Sequence, residues 1–186
     1  LVGVVLWTAS YRLLPETLHI EQRQPFNVRH LMQGYVQLGS SARFVLLALA
    51  SGVPFNGMFL YVLSAPAFLG DHLSLAPTQF FWFFILTISG IMGGAWLSGR
   101  LAGRIPPKRQ IRHGFLIMFT VALLNLGANL LFPPHAWWAL LPIAVFAFGW
   151  ALMVPVVTLL VLDLYPERRG MASSMQAFVG STANGL

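Results

Sequence analysis

Long uncharged stretches set the class of this chain before any motif does. No Asp, Glu, Lys or Arg occurs between Arg43 and Asp71, between Asp71 and Arg100, or between Arg112 and Asp163, gaps of 27, 28 and 50 residues. A helix that crosses a bilayer needs about 20 predominantly apolar residues. The first two gaps therefore hold one span each and the third holds two joined by a turn. The pattern predicts spans at 44–69, 79–99, 114–132 and 137–160, with partial spans at 1–11 and 172–186. Both ends of the chain lie inside apolar runs, as expected of a piece of a longer protein. The predicted fold class is an all-α polytopic membrane protein.

Composition agrees, with 57% hydrophobic and only 9% charged residues, against about a quarter charged in soluble domains. The chain has no cysteine, which excludes disulfides, thiolate nucleophiles and Cys-based metal sites. A net charge of +6 suggests nucleic acid in a soluble protein, but here topology accounts for it and no nucleic-acid partner is expected. Arg12, Arg23, Arg29 and Arg43 fall in the first connection, Arg100, Arg104, Lys108, Arg109 and Arg112 in the third, and Arg168 and Arg169 in the fifth. The second and fourth connections carry no Lys or Arg. Cations on alternate connections mark those loops as cytoplasmic.

Three regions follow: 1–14, the end of a transmembrane helix; 15–43, a cytoplasmic central loop; and 44–186, a transmembrane bundle. Within the loop, Val28, Leu31, Tyr35 and Leu38 recur at helical spacing after Asn27, a good N-cap. This predicts a short amphipathic helix on the membrane surface. The plainer reading is a linker whose flexible end is Gly39, Ser40 and Ser41.

The spans contain no ionisable group of the kind that marks proton relays. Asp163 lies at a span end beside Tyr165, Pro166, Glu167, Arg168 and Arg169, where local pairing is expected. His113 begins a span, and His72 and His135 lie in the cation-free loops, so all three are expected to be solvated. Nucleophile-elbow, phosphate-loop and zinc-protease signatures are absent, so no enzyme, metal site or bound cofactor is expected.

Helix breakers are the informative feature inside the spans. Pro54 and Pro66 interrupt one span and Pro142 and Pro155 another. A mid-span proline frees a carbonyl that a neighbour, a hydroxyl or water must satisfy, so such helices bend either for packing or toward a cavity. Each broken helix opens a set of three, and paired interrupted helices in inverted repeats point to a transporter's binding site. Gly90, Gly94 and Ser98 form a small-residue stripe suited to close helix contact, within the chain or between copies. Phe80, Phe81, Trp82, Phe83, Phe84, Trp137 and Trp138 mark the membrane interface opposite the cations.

Several segments resemble one family in order and spacing. The runs Leu14-Pro15-Glu16-Thr17-Leu18, Arg23-Gln24-Pro25-Phe26, Ser51-Gly52 through Gly57-Met58-Phe59, and Ala65-Pro66 are similar to the bicyclomycin-resistance (Bcr/CflA) branch of the major facilitator superfamily, the drug/proton antiporters. Gly149, Pro155, Leu162, Pro166, Gly170, Ala172, Ser173 and Ser174 match a second block of that branch. The resemblance implies a partial major-facilitator-type helix bundle, from the end of helix six to the start or middle of helix eleven of twelve. Gly99-Arg100-Leu101-Ala102-Gly103-Arg104-Ile105-Pro106-Pro107-Lys108-Arg109 resembles the superfamily's cytoplasmic loop motif, represented by Gly99, Arg104, Lys108 and Arg109. Gly103 stands where the family has Asp, and Pro106 and Pro107 replace its Gly-Arg.

The resemblance implies alternating access by a multi-pass protein of the bacterial inner membrane. A small amphipathic drug-like substrate is exported in exchange for protons, with the proton gradient as driving force, the lipid bilayer as partner, and a monomer as the full-length form. The expected cavity wall is Phe55, Asn56, Met58, Phe59 and Val62 with Phe148, Leu152 and Pro155. Positions 55, 58, 59 and 62 share a helical face, and aromatics with methionine suit varied apolar ligands. Asn56 either orients a ligand or bridges helices. A carrier of one specific metabolite, and a membrane-embedded protein that does not transport, are the alternatives.

Overall fold

A computed structural model describes residues 2–13, 27–72, 76–133 and 136–185. The described residues form α1 (Val2–Leu13), α2 (Val28–Gly39), α3 (Ala42–Ala67), α4 (Phe81–Leu101), α5 (Pro107–Leu131), α6 (Ala136–Leu164) and α7 (Arg169–Asn184), with no strand among them. The segments Leu14–Leu18 and Arg23–Phe26, together with His135, lie outside the described residues, as do the side chains of His72, Trp137 and Trp138.

The chain divides into two compact units, residues 1–34 and 35–186. In the first, α1 is apolar with no buried residue, and its Trp7 and Tyr11 rings stack one turn apart at 6.1 Å. Asn27 caps α2 as expected, its Oδ1 accepting from the Arg29 N–H at 2.9 Å.

In the second unit, four helices are long and apolar enough to cross a membrane, covering Ala42–Gly70, Phe81–Leu101, Pro107–Leu131 and Ala139–Leu164. Leu46, Val53, Leu60, Met92, Phe119 and Leu124 are each more than half exposed. Water-soluble monomers rarely leave so much large apolar surface uncovered, so this surface is suited to lipid or to other protein rather than to water. Lipid is as apolar as leucine, so burial alone does not drive these helices together; close packing and hydrogen bonds do.

That requirement explains the glycines. The helix α6 is the hub, packed against α3, α4, α5 and α7, and small residues open two of its sides. A Cβ on Gly90 of α4 would collide with the Ala144 carbonyl, and one on Gly94 with the Phe148 carbonyl. The stripe that suggested either dimerisation or internal packing is therefore occupied by α6 of the same chain. On the other side, Gly114 of α5 meets Gly149, where a Cβ on Gly114 would stand 2.8 Å from the Gly149 carbonyl. At the α3–α7 crossing a Cβ on Gly52 would lie 2.6 Å from Gly180 Cα.

Several boundaries differ from the sequence-based expectation. The α5 helix begins at Pro107, seven residues before 114, because proline suits the first helical turn and the polar face of that turn lies at the membrane edge. Lys108, Arg109, Arg112 and His113 are thus helical, leaving only 102–106 as the connection. The end of the central loop is anchored, contrary to the flexible-end reading. Leu38 is fully buried with Phe44, Ala48, Val161 and Ala172, Ser41 Oγ accepts from the Phe44 N–H to cap α3, and Tyr35 Oη pairs with Ser174 Oγ at 3.0 Å. In the aromatic run, Phe81, Trp82 and Phe84 are exposed, but Phe83 is 2% exposed and sits in a core of Ala65, Leu69, Leu140 and Ile143.

Helices α3 to α7 alternate in direction, so all eight Lys and Arg of residues 35–186 collect at one end of the unit. Asp163 is held there by Arg169 at 3.5 Å. Both side chains are more than half exposed, so the pair contributes little, about 0–1 kcal/mol.

Candidate functional site: an uncharged groove between α3, α6 and α7

Both proline-interrupted helices receive a bond from another helix one residue past a carbonyl that proline frees. In a helix, Pro54 leaves the Ala50 carbonyl without its N–H donor and its ring crowds the same turn. The next carbonyl, that of Ser51, accepts the Trp150 indole N–H from α6 at 3.0 Å. Pro155 does the equivalent to Ala151, and the next carbonyl, that of Leu152, accepts from Gln110 Nε2 of α5 at 2.9 Å. Gln110 is 1% exposed and also donates to Ser98 Oγ of α4 at 2.8 Å, tying three helices together at the cationic end. Gln110→Met keeps the volume and deletes both bonds. We expect a loss of about 1–3 kcal/mol, the cost of leaving buried polar groups unpaired, read as a lower midpoint in thermal unfolding of the intact protein in detergent.

The Trp150 bond places the indole at the edge of a groove of about 400 Å³. It is lined by Ser51, Gly52 and Phe55 of α3, Trp150, Val154 and Thr158 of α6, and a strip of α7 that includes Gln176 and Gly180. Positions 150, 154 and 158 lie four apart, on one face of α6. The Phe55 ring lies 5.3 Å from Trp150 and 6.1 Å from Phe59, making an aromatic wall. Nearer the cationic end, on the same two helices, Gln176 Nε2 of α7 donates to Ser51 Oγ at 3.0 Å and to Thr158 Oγ1 at 3.4 Å. The groove offers aromatic surface and a carboxamide–hydroxyl cluster, with no charged side chain among its described lining residues.

The residues expected from sequence are only partly brought together here. Phe55 lines the groove and Phe59 stacks on it, 43% exposed. Asn56 bridges helices, its Nδ2 donating to the Ala183 carbonyl of α7 at 3.1 Å. Met58 turns to a separate cavity with α5 and α6, and Val62 packs against the buried cluster that contains Phe83 and Leu140. The shared face of α3 spans contacts with different partners at different heights, so it does not form one wall. Phe148 packs its carbonyl and ring against Gly94 and Gly93; Leu152 is 2% exposed, and Pro155 is exposed. Ser51, Trp150, Thr158 and Gln176 were not anticipated. Their one visible signal was the rarity of polar side chains in apolar helices.

In the loop motif, Gly99 and Gly103 have open space where a Cβ would stand. Gly103 takes a positive φ of 74°, a left-handed turn that glycine accepts without strain. Lys108 and Arg109 sit in the first turn of α5. Arg104 shares a depression with Leu159 and Asp163 at the cationic end, and the Arg100 guanidinium lies 4.7 Å from the Trp96 ring centroid, a cation–π contact.

Comparison with known proteins places this architecture. The chain is 25% identical over 181 residues to the uncharacterized MFS-type transporter YdgK of Bacillus subtilis (strain 168), covering 97% of this chain and 44% of that one. It is 22% identical over 134 residues to a bicyclomycin resistance protein homolog of Haemophilus influenzae, covering 68% of this chain and 34% of that one. The chain thus spans less than half the length of these curated relatives. No solved structure matches it significantly. The profile of the Major Facilitator Superfamily matches residues 1–186, and with its multi-pass helical bundle the chain belongs to that superfamily.

Proposed function

We propose that the intact protein is a secondary transporter that exports small, amphipathic, drug-like molecules across the bacterial inner membrane in exchange for protons. The groove between α3, α6 and α7 carries this reading. Its volume falls in the range of small-molecule sites, about 300–1,000 Å³, and its aromatic wall suits ligands recognised by surface rather than by charge. The relative named for bicyclomycin resistance is consistent with a drug as substrate. In this reading this chain forms one wall of the cavity, and the proton-carrying group comes from residues outside it. The cationic end is cytoplasmic by the positive-inside rule, and the protein acts as a monomer, its glycine stripe being occupied by α6.

One observation favours a second reading, a carrier for a specific polar metabolite: Gln176, Ser51 and Thr158 converge on the groove. Uptake into inside-out vesicles containing the intact protein separates the two, using a cationic dye and a neutral antibiotic with and without an imposed proton gradient. Gradient-dependent accumulation of either supports drug export; accumulation of neither, in vesicles shown to hold folded protein, favours the metabolite carrier. Gln176→Leu sharpens the choice. For a drug exporter dye accumulation stays within about threefold, whereas a polar substrate held by the cluster loses tenfold or more, since one lost hydrogen bond is worth about 0.5–1.5 kcal/mol and an unpaired buried partner about 1–3 kcal/mol.

A further inference from the structure

The unit has a second cavity that the groove does not use. It lies between α3, α5 and α6, measures about 140 Å³, and its walls include Gly57, Met58, Val121, Pro142, Ile143 and Phe146. Met58, Val121 and Ile143 are buried, while Gly57 and Ala122, also in its lining, are exposed, so its open side lies between α3 and α5. One wall is polar: Tyr61 and Asn125 both line it, and Asn125 Nδ2 donates to Tyr61 Oη at 3.1 Å. Asn125 is oriented in turn by Asn129, whose Nδ2 donates to Asn125 Oδ1 at 2.9 Å. With Tyr61 Oη accepting from Asn125, the phenolic proton is available to an acceptor in the cavity. The phenol ring is itself fixed, edge-on to Phe68 at 5.9 Å.

We propose that this cavity is a binding site for a single six-membered aromatic ring carrying a hydrogen-bond acceptor, held by apolar contacts and by the Tyr61 hydroxyl. The size is right, since an apolar protein cavity of about 150 Å³ stays dry and takes up benzene. The chemistry is selective as well: the polar wall offers the Tyr61 hydroxyl as a donor, and no charge stands among the described lining residues, which favours a neutral ring with an acceptor over a bare hydrocarbon or an ion. The site is separate from the groove, because Met58 and Tyr61 point to this cavity while Ser51, Gly52 and Phe55 line the groove.

Two probes of equal size test this in crystals of the intact protein, bromobenzene and 3-bromopyridine, located by the anomalous signal of bromine. We expect both in the cavity, with 3-bromopyridine reaching half occupancy at a concentration several-fold lower. Tyr61→Phe reduces that preference and leaves bromobenzene bound. Ala122→Phe, which fills the cavity, abolishes both peaks. Should that variant fail to fold, Gly57→Ala serves, since its Cβ would stand an ordinary 3.8 Å from Phe146 Cζ, and it weakens both probes. Absence of bromine from the wild-type cavity, continuous acyl-chain density in its place, or a preference unchanged by Tyr61→Phe overturns the proposal.

Discussion

Gly94→Leu abolishes assembly of the bundle, whereas Gly99→Leu on the same helix leaves it intact. A Cβ on Gly94 already collides with the Phe148 carbonyl and stands 3.0 Å from Ala151 Cβ. Backbone cannot move aside as a flexible side chain can, so α4 must separate from α6 along their whole contact. Overpacking in a tight interior typically costs 1–3 kcal/mol and sometimes more; a branched side chain against a carbonyl belongs at or above about 3 kcal/mol. The loss is compounded in lipid, where no hydrophobic force restores the contact once close packing is gone. Gly99 is the matched control, with nothing within 4 Å of an added Cβ. Size-exclusion chromatography of the detergent-solubilised intact protein, followed by thermal unfolding, reads both variants. Similar monodisperse yields for the two would show that the α4–α6 crossing has slack that this geometry does not allow.

The second large effect is on selectivity. Trp150→Ala changes the substrate profile of the intact protein by tenfold or more for aromatic ligands, while Trp150→Phe stays within about threefold. Trp150 has two separable roles: its ring faces Phe55 at 5.3 Å, and its indole N–H binds the Ser51 carbonyl in the turn disturbed by Pro54. Phenylalanine keeps a ring and loses the bond, a net stability cost of about 0.5–1.5 kcal/mol. Alanine loses both, and a tenfold change corresponds to about 1.4 kcal/mol, within what one aromatic partner contributes. Resistance profiles across several drugs, normalised to protein level, measure this. Equal profiles for the two variants would remove the aromatic wall from substrate recognition and leave Trp150 only its tie to α3.

Much of the architecture was legible in residue order. The uncharged gaps located four spans, Asn27 identified the start of α2, and the superfamily resemblance matched the comparison. The start of α5 was not legible, because Lys108, Arg109 and Arg112 resemble a loop to any count of charges, although a helix can carry them in its first turns at the membrane edge. The site was legible only in outline. Proline pairs pointed to α3 and α6, and the groove does lie against both helices. Its polar members come from positions 51, 158 and 176, on three helices, and no periodicity within one helix links them.

The sequence alone determined where the chain is apolar enough to enter a membrane and which connections carry positive charge. Both follow from transfer energies that each residue contributes locally, so order along the chain suffices. Tertiary structure decided which face of each helix meets a neighbour. In lipid every face of an apolar helix is equally at home, so the choice falls to shape and hydrogen bonding: glycines that admit a backbone at Gly52, Gly94 and Gly114, and the side chains of Trp150 and Gln110 that reach carbonyls in the proline-disturbed turns of other helices. With those contacts in place, the one predicted wall of α3 is divided between a groove facing α7 and a separate cavity facing α5.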